Sequence, residues 1–316
     1  MLKKSDVEKQ VDRIFRHVRQ NSYGTKAKYH KTATNFAKWL NENFKTQNLR
    51  NLHDKHLVAY AEYRKEQGIA PKTIKTDLSA IRFMHSQISN PRYELSENKE
   101  LGQKYGLKLG KTPAVKGDRA WTEKEYQGFK DFCVENGRQD LSDIATLCRT
   151  MGLRITEAVA IKRSQAEQAL RTGVHKVMSE GKNGLKKDIK CNRLVPLSPE
   201  AREVFERRMQ ETPRGGKLFI KNGEKTHHVR DRYEQYLNYH RNKIETKEGI
   251  EQRTWTKYGV THQNEITWHG LRYGYAQGRL SQELKAGQRY RIASKKVSKE
   301  LGHGRISVMS TYLGGK

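Results

Sequence analysis

Six residues with the chemistry to handle a phosphate diester follow one another through the second half of the chain. Arg154 stands in Gly152-Leu153-Arg154, followed by Glu157, and Lys182 stands in the turn Gly181-Lys182-Asn183-Gly184. His269 and Arg272 form a His-x-x-Arg pair, His303 follows Leu301-Gly302, and Tyr312 lies nine residues beyond it. A phosphodiester is anionic and resists nucleophiles until its charge is neutralised. Two arginines can grip its non-bridging oxygens with planar, paired hydrogen bonds that lysine cannot reproduce, a task suited to Arg154 and Arg272. Tyr312 is then a nucleophile. A free phenol has a pKa of about 10, so it needs a proton acceptor or a strongly positive site. His269 can serve as that general base, and His303 can donate a hydrogen bond to phosphate oxygens.

Single matches weigh little. The same His-x-x-Arg spacing occurs at His227/Arg230, and with 12 His and 27 Arg in the chain about one such pair is expected by chance. Gly152 could be only a helix stop, His303 a cap, Tyr312 a packed aromatic. Lys182 has rivals in Lys186 and Lys187. The order of the whole set is what carries meaning.

The elements that must position these residues are mostly helical. Val7, Val11, Ile14, Phe15 and Val18 recur at helical intervals, as do Tyr29, Ala33, Phe36, Ala37 and Leu40. A third helix is expected from an Asp54 N-cap to Gly68, and Pro71 opens a fourth with Ile74, Leu78, Ile81 and Ile88 inward. Residues 95–118 lose that periodicity and read as a basic linker. Beyond it, Thr122 and Glu125 form a capping box, and a helix over about Leu141 to Met151 is broken by Gly152. Val174–Met178 and Arg193–Leu197 read as two strands around a lysine-rich turn. Ser198-Pro199 starts another helix, with more over Val229–Leu237 and from Thr267 onward. The expected fold is mainly α with a small antiparallel β-sheet. It comprises a helical N-terminal domain over 1–94, the linker over 95–118, and an α+β catalytic domain over 119–316.

The charge bounds the partner. Of 316 residues 63 are Lys or Arg and 35 Asp or Glu, a net charge of +28. Up to position 118 there are 24 basic and 12 acidic residues, and beyond it 39 and 23, so both halves are basic. A detachable basic tail would load one end; this distribution suits two bodies that both touch phosphate, closing as a clamp on duplex DNA. An architectural DNA-binding protein would carry the same balance. Mean hydropathy is −0.98, and no long apolar run or leader-like segment appears, so a soluble intracellular protein is expected. Cys133, Cys148 and Cys191 lack zinc spacing, and His227-His228 has no carboxylate cluster beside it. Neither metal nor cofactor is expected.

From about residue 119 the chain resembles the catalytic domain of the tyrosine recombinase, or phage integrase, family. The resemblance rests on Gly152-Leu153-Arg154-x-x-Glu157, the lysine hairpin, His269-Gly270-Leu271-Arg272, Leu301-Gly302-His303 and Tyr312. The first half is similar to the family's core-binding domain in layout only. The resemblance implies that Arg154 and Arg272 hold the phosphate, that Lys182 is the general acid for the departing 5′ oxygen, and that Tyr312 forms a 3′-phosphotyrosine. It further implies double-stranded DNA as partner, a homotetramer on paired sites, and a role in integrating or excising a mobile element, at the nucleoid in a prokaryotic cell. An accessory DNA-bending protein belongs to the same picture. The chain departs from the pattern twice. The stretch from Arg272 to His303 is long, with Gln282–Lys296 either a DNA-contacting excursion or an extended helix pair. Only Leu313–Lys316 follow Tyr312, where family members pass a helix to a neighbouring subunit. Two other readings remain: a non-catalytic basic DNA-binding protein, and DNA relaxation of the type IB topoisomerase kind.

Overall fold

The structure is a computed structural model that describes residues 4–18, 23–111, 117–177, 193–257, 259–303 and 305–314. The chain divides into two compact units after Pro113.

The first unit is helical: α1 (Asp6–His17), α2 (Tyr23–Phe44), α3 (Asp54–Glu66), α4 (Pro71–His85) and α5 (Asn98–Tyr105). Ser5 and Glu8 close a capping box at the start of α1, which orients Val7, Val11 and Phe15 into a core with Phe36, Leu40, Leu57, Ile74 and Leu78. Two expectations need correction. The N-cap of α3 is His53 rather than Asp54; the buried Asp54 carboxylate instead accepts the Ser96 amide at 2.8 Å. The stretch read as a linker begins as part of this body. Within it α5 sends Leu101 into the core, Leu107 follows, and Leu95 and Leu109 pack against it, so four leucines among lysines and glycines anchor the stretch. Gly106, at φ +67°, ends α5 in the left-handed region that glycine tolerates best.

The second unit carries α6 (Glu123–Glu135), α7 (Gln139–Thr150), α8 (Ile155–Val159), α9 (Arg163–Thr172), β1 (Val174–Val177), β2 (Arg193–Pro196), α10 (Pro199–Glu211), α11 (Thr226–Ile244), α12 (Lys247–Arg253), β3 (Thr254–Lys257), β4 (Val260–Gln263), α13 (Trp268–Lys285), α14 (Tyr290–Glu300) and α15 (Val308–Tyr312). The Thr122–Glu125 capping box opens α6 as expected. β1 and β2 are antiparallel, with Val174 opposite Pro196 and Val177 opposite Arg193. A second antiparallel pair, β3–β4, was not expected. β4 has no buried residue, so no inward apolar alternation marks it in the sequence. Gln282–Lys296 belongs to a helix pair. Tyr275 on α13 donates to Glu300 on α14 at 2.8 Å, and Lys296 reaches back to Glu283 at 2.7 Å. Among the described residues no helix is long and apolar enough to cross a membrane.

Candidate active site

Every described candidate residue lies in the second unit, brought there by turns that glycine makes possible. After α7 the chain reverses at Gly152, φ +59°, and a Cβ there would lie 2.4 Å from the Tyr275 ring. The reversal buries Leu153 and leaves Arg154 as the N-cap of α8. One turn on, Glu157 accepts from the Arg154 backbone at 2.8 Å and from its Nη1 at 2.7 Å.

His269 and Arg272 share one side of α13, as i,i+3 spacing requires. Thr267 caps that helix, its hydroxyl accepting the Gly270 amide at 3.3 Å. Gly270 allows close packing, since a Cβ would meet the Arg119 carbonyl at 2.4 Å. Leu301 ends α14, Gly302 turns at φ +71°, and the His303 amide donates to the Ser298 carbonyl at 2.8 Å. On the short α15, Met309 and Tyr312 both face inward. Gln277 holds the Tyr312 carbonyl at 2.9 Å.

These segments meet at the Tyr312 hydroxyl. It accepts from Arg272 Nε at 3.0 Å and lies 3.1 Å from His303 Nε2. Arg272 is wholly buried; its Nη1 donates to the Gly152 carbonyl and its Nη2 to the Leu301 carbonyl. The same guanidinium lies 3.9 Å from Glu157, so Arg154 and Arg272 converge on one carboxylate. Burial lowers the Arg272 pKa, with the Arg154 charge adding to that and Tyr312 and Glu157 opposing it. Desolvation would raise the Glu157 pKa, but Arg193, Arg154 and Arg272 outweigh it and hold the carboxyl below its ordinary range.

His269 stands further out. Its ring centroid is 6.2 Å from that of Tyr312, and His303 rather than His269 touches the hydroxyl. His269 is exposed as a residue. Desolvation, then the charges of Arg272, Arg154 and Arg119, push its pKa down to about 4. Lys182 and its rivals Lys186 and Lys187 lie outside the described residues.

One member of the cluster was not anticipated from the sequence. Arg193, the first residue of β2, donates to Glu157 Oε2 at 2.5 Å and to the Leu301 carbonyl at 3.0 Å. Burial lowers its pKa to about 10 against the pull of Glu157. A signal existed in strand alternation, because Arg193 shares its face with the buried Val195 while Leu194 points outward.

Comparison with known proteins bears on the fold. Residues 12–87 match the phage integrase N-terminal SAM-like domain. No protein of curated function matches the sequence. Among solved structures, the chain is similar to the Tn1549 transposon integrase in complex with transposon right end DNA, with a TM-score of 0.60 and 15% identity over 97% of this chain and 94% of that one. A lambda integrase dimer bound to a COC′ core site gives a TM-score of 0.58 and 17% identity over 97% of this chain and 76% of that one. A lambda integrase tetramer bound to a Holliday junction gives 0.55 and 16%, over 96% and 76%. The chain thus carries a phage integrase SAM-like domain over residues 12–87, and over nearly its whole length it shares the fold of these integrases.

Proposed function

We propose that this chain is a site-specific DNA recombinase that cuts and rejoins DNA through a covalent 3′-phosphotyrosine at Tyr312. The observation that carries the reading is the Tyr312 hydroxyl held at 3.0 Å from Arg272 and 3.1 Å from His303. Likeness to DNA-bound integrases supports the substrate class.

In this reading Arg154 donates to the scissile phosphate, and Arg272 neutralises it by charge, its Nε passing from the Tyr312 hydroxyl to a phosphate oxygen as that hydroxyl turns to phosphorus. A single preorganised donor of this kind contributes on the order of 3 kcal/mol to the transition state. Tyr312 oxygen attacks phosphorus as its proton leaves. His269 is neutral near pH 7, so it can accept a proton, but with a pKa of about 4 it is a weak base. The surrounding cations therefore supply most of the phenolate stabilisation, and an arriving phosphate, being anionic, raises the basicity of His269. His303 hydrogen-bonds the hydroxyl before attack and a phosphate oxygen after it. The P–O5′ bond breaks, and Lys182 protonates the departing 5′ oxygen. A 5′ hydroxyl from another strand reverses the step. One phosphodiester is exchanged for a phosphotyrosine ester, so the bond energy is kept and no external energy source is needed. Four protomers on paired sites would exchange strands, integrating or excising a mobile element.

The test is a nicked suicide duplex, on which the wild type should leave a denaturation-resistant protein–DNA adduct and Tyr312→Phe none. Equal outcomes from both proteins would return the chain to the class of non-catalytic DNA-binding proteins. Relaxation of any supercoiled plasmid by a monomer would move it toward the topoisomerase reading.

A further inference from the structure

Arg193 is a buried cation to which the chemistry above gives no task. Its guanidinium bridges two acceptors, Glu157 Oε2 at 2.5 Å and the Leu301 carbonyl at 3.0 Å. Arg272 uses the same two: its Nη2 donates to Leu301 and its Nη1 lies 3.9 Å from Glu157 Oε2. Two cations side by side repel each other in a poorly solvated site, and the shared carboxylate and carbonyl are what hold them together. Each acceptor leads to a different part of the active site. Glu157 fixes Arg154 through both backbone and side chain. Leu301 stands two residues before His303, which touches the Tyr312 hydroxyl. The Gly302 turn between them packs on Arg193 itself, since a Cβ there would lie 3.1 Å from its Cδ.

We propose that Arg193 is a positioning residue which, through Glu157 and the Leu301 carbonyl, sets Arg154, Arg272 and His303 around the Tyr312 hydroxyl. The inference rests on the recombinase reading and deepens it. Without Arg193, Glu157 is free to turn toward Arg272, drawing that guanidinium from the nucleophile, and the loop bearing His303 loses one of its two arginine anchors. Lysine is a poor replacement. A single ammonium must serve two acceptors that the planar fork meets from separate nitrogens.

The test compares Arg193→Gln and Arg193→Lys with wild type on the nicked suicide duplex at saturating DNA. Arg193→Gln should form the Tyr312 adduct about a hundredfold more slowly, the scale of loss expected when reacting groups are misplaced by about an ångström. DNA affinity should be unchanged. Arg193→Lys should recover part of that rate. Glu157→Gln should slow the reaction less in the Arg193→Gln background than in wild type, because the two residues share one contact, and full additivity would count against the proposal. A substrate with sulfur at the 5′ bridging position, which needs no acid to leave, should not rescue Arg193→Gln. Rescue by it, a wild-type rate, or a loss explained by weaker DNA binding would each overturn the proposal.

Amide hydrogen exchange on the uncomplexed protein separates this proposal from the recombinase reading. Arg193→Gln should speed exchange at Gly302 and His303, whose amides bond to Lys299 and Ser298 carbonyls, while α7 keeps its protection. Failure of the wild type to form any Tyr312-dependent adduct would sink the recombinase reading, and exchange would then decide alone. Unchanged protection at 302 and 303, or equal loss of protection across α7 in both variants, would refute positioning by Arg193.

Discussion

The Nε of Arg272 donates to the Tyr312 hydroxyl across 3.0 Å, although 40 positions separate them in sequence. The remaining nitrogens of Arg272 are committed to the Gly152 and Leu301 carbonyls, so this one side chain joins the turn before Arg154, the end of α14 and the Tyr312 hydroxyl. Three directions served from one rigid plane are beyond an ammonium group.

Arg272→Lys should therefore slow adduct formation by about 3 kcal/mol in the barrier, on the order of a hundredfold or more. It should also destabilise the fold by about 1–3 kcal/mol, because buried carbonyls lose their donor. Single-turnover cleavage measured well below the melting temperature separates the two effects. A near-normal rate in a folded Arg272→Lys protein would show that the guanidinium plane is not what the chemistry uses.

Charge sets the binding energetics. Both halves of the chain are basic within the overall +28, so DNA affinity should be dominated by counterion release. For about six phosphate contacts, the dissociation constant should weaken roughly a thousandfold between 50 and 200 mM salt. A titration flat over that range would contradict phosphate-driven binding.

His175 predicts an acid sensitivity unrelated to catalysis. It is buried on β1 beside the Phe205 ring, at 5.7 Å between centroids, and its Nδ1 has no partner among the described residues. Desolvation, then the charge of Arg193, push its pKa down to about 4 from 6.5. Between those values the unfolded chain binds a proton that the folded ring refuses, so unfolding free energy falls as pH drops from about 6.5 toward 4. His175→Phe removes both the titration and the unpaired nitrogen. Denaturant midpoints at pH 7 and pH 5 should differ less for the variant than for wild type, and an equal difference would refute the assignment.

How much of this was legible in the sequence depended on whether burial leaves a pattern. α1, α2, α4 and α7 were legible because apolar side chains repeat every turn, and the Thr122–Glu125 box and Ser198-Pro199 mark their helix starts chemically. Gly152 was legible as a break, though not as the carbonyl that holds Arg272. β3–β4 left no trace because β4 buries nothing. α5 was missed because Leu101 is its one buried residue, too few to show a helical period. At the site, the types and order of Arg154, Arg272, His303 and Tyr312 were readable from spacing. Which histidine touches the hydroxyl was not, because that depends on the turn at Gly302 and the inward rotation of α15. Arg193 was hidden by the habit of reading charged strand residues as solvent-facing; its buried partner Glu157 lies 36 residues upstream.

Gly152 offers the sharpest test of how the site is held. At φ +59°, an alanine would cost about 1–2 kcal/mol in backbone strain alone. Its Cβ would also fall 2.4 Å from the Tyr275 ring, and that ring cannot retreat without stretching its 2.8 Å bond to Glu300 on α14. The backbone must move instead, carrying with it the carbonyl that receives Arg272. Gly152→Ala should thus lower stability by about 2 kcal/mol or more and slow adduct formation beyond what lost folding explains. Gly278→Ala is the matched control. It lies within α13, where a Cβ would meet nothing within 4 Å, and should stabilise the protein by about 0.5–1 kcal/mol. Thermal melts and single-turnover cleavage of both variants check the pair. Equal tolerance of the two substitutions would mean that the Gly152 turn does not tie Arg272 to Tyr312.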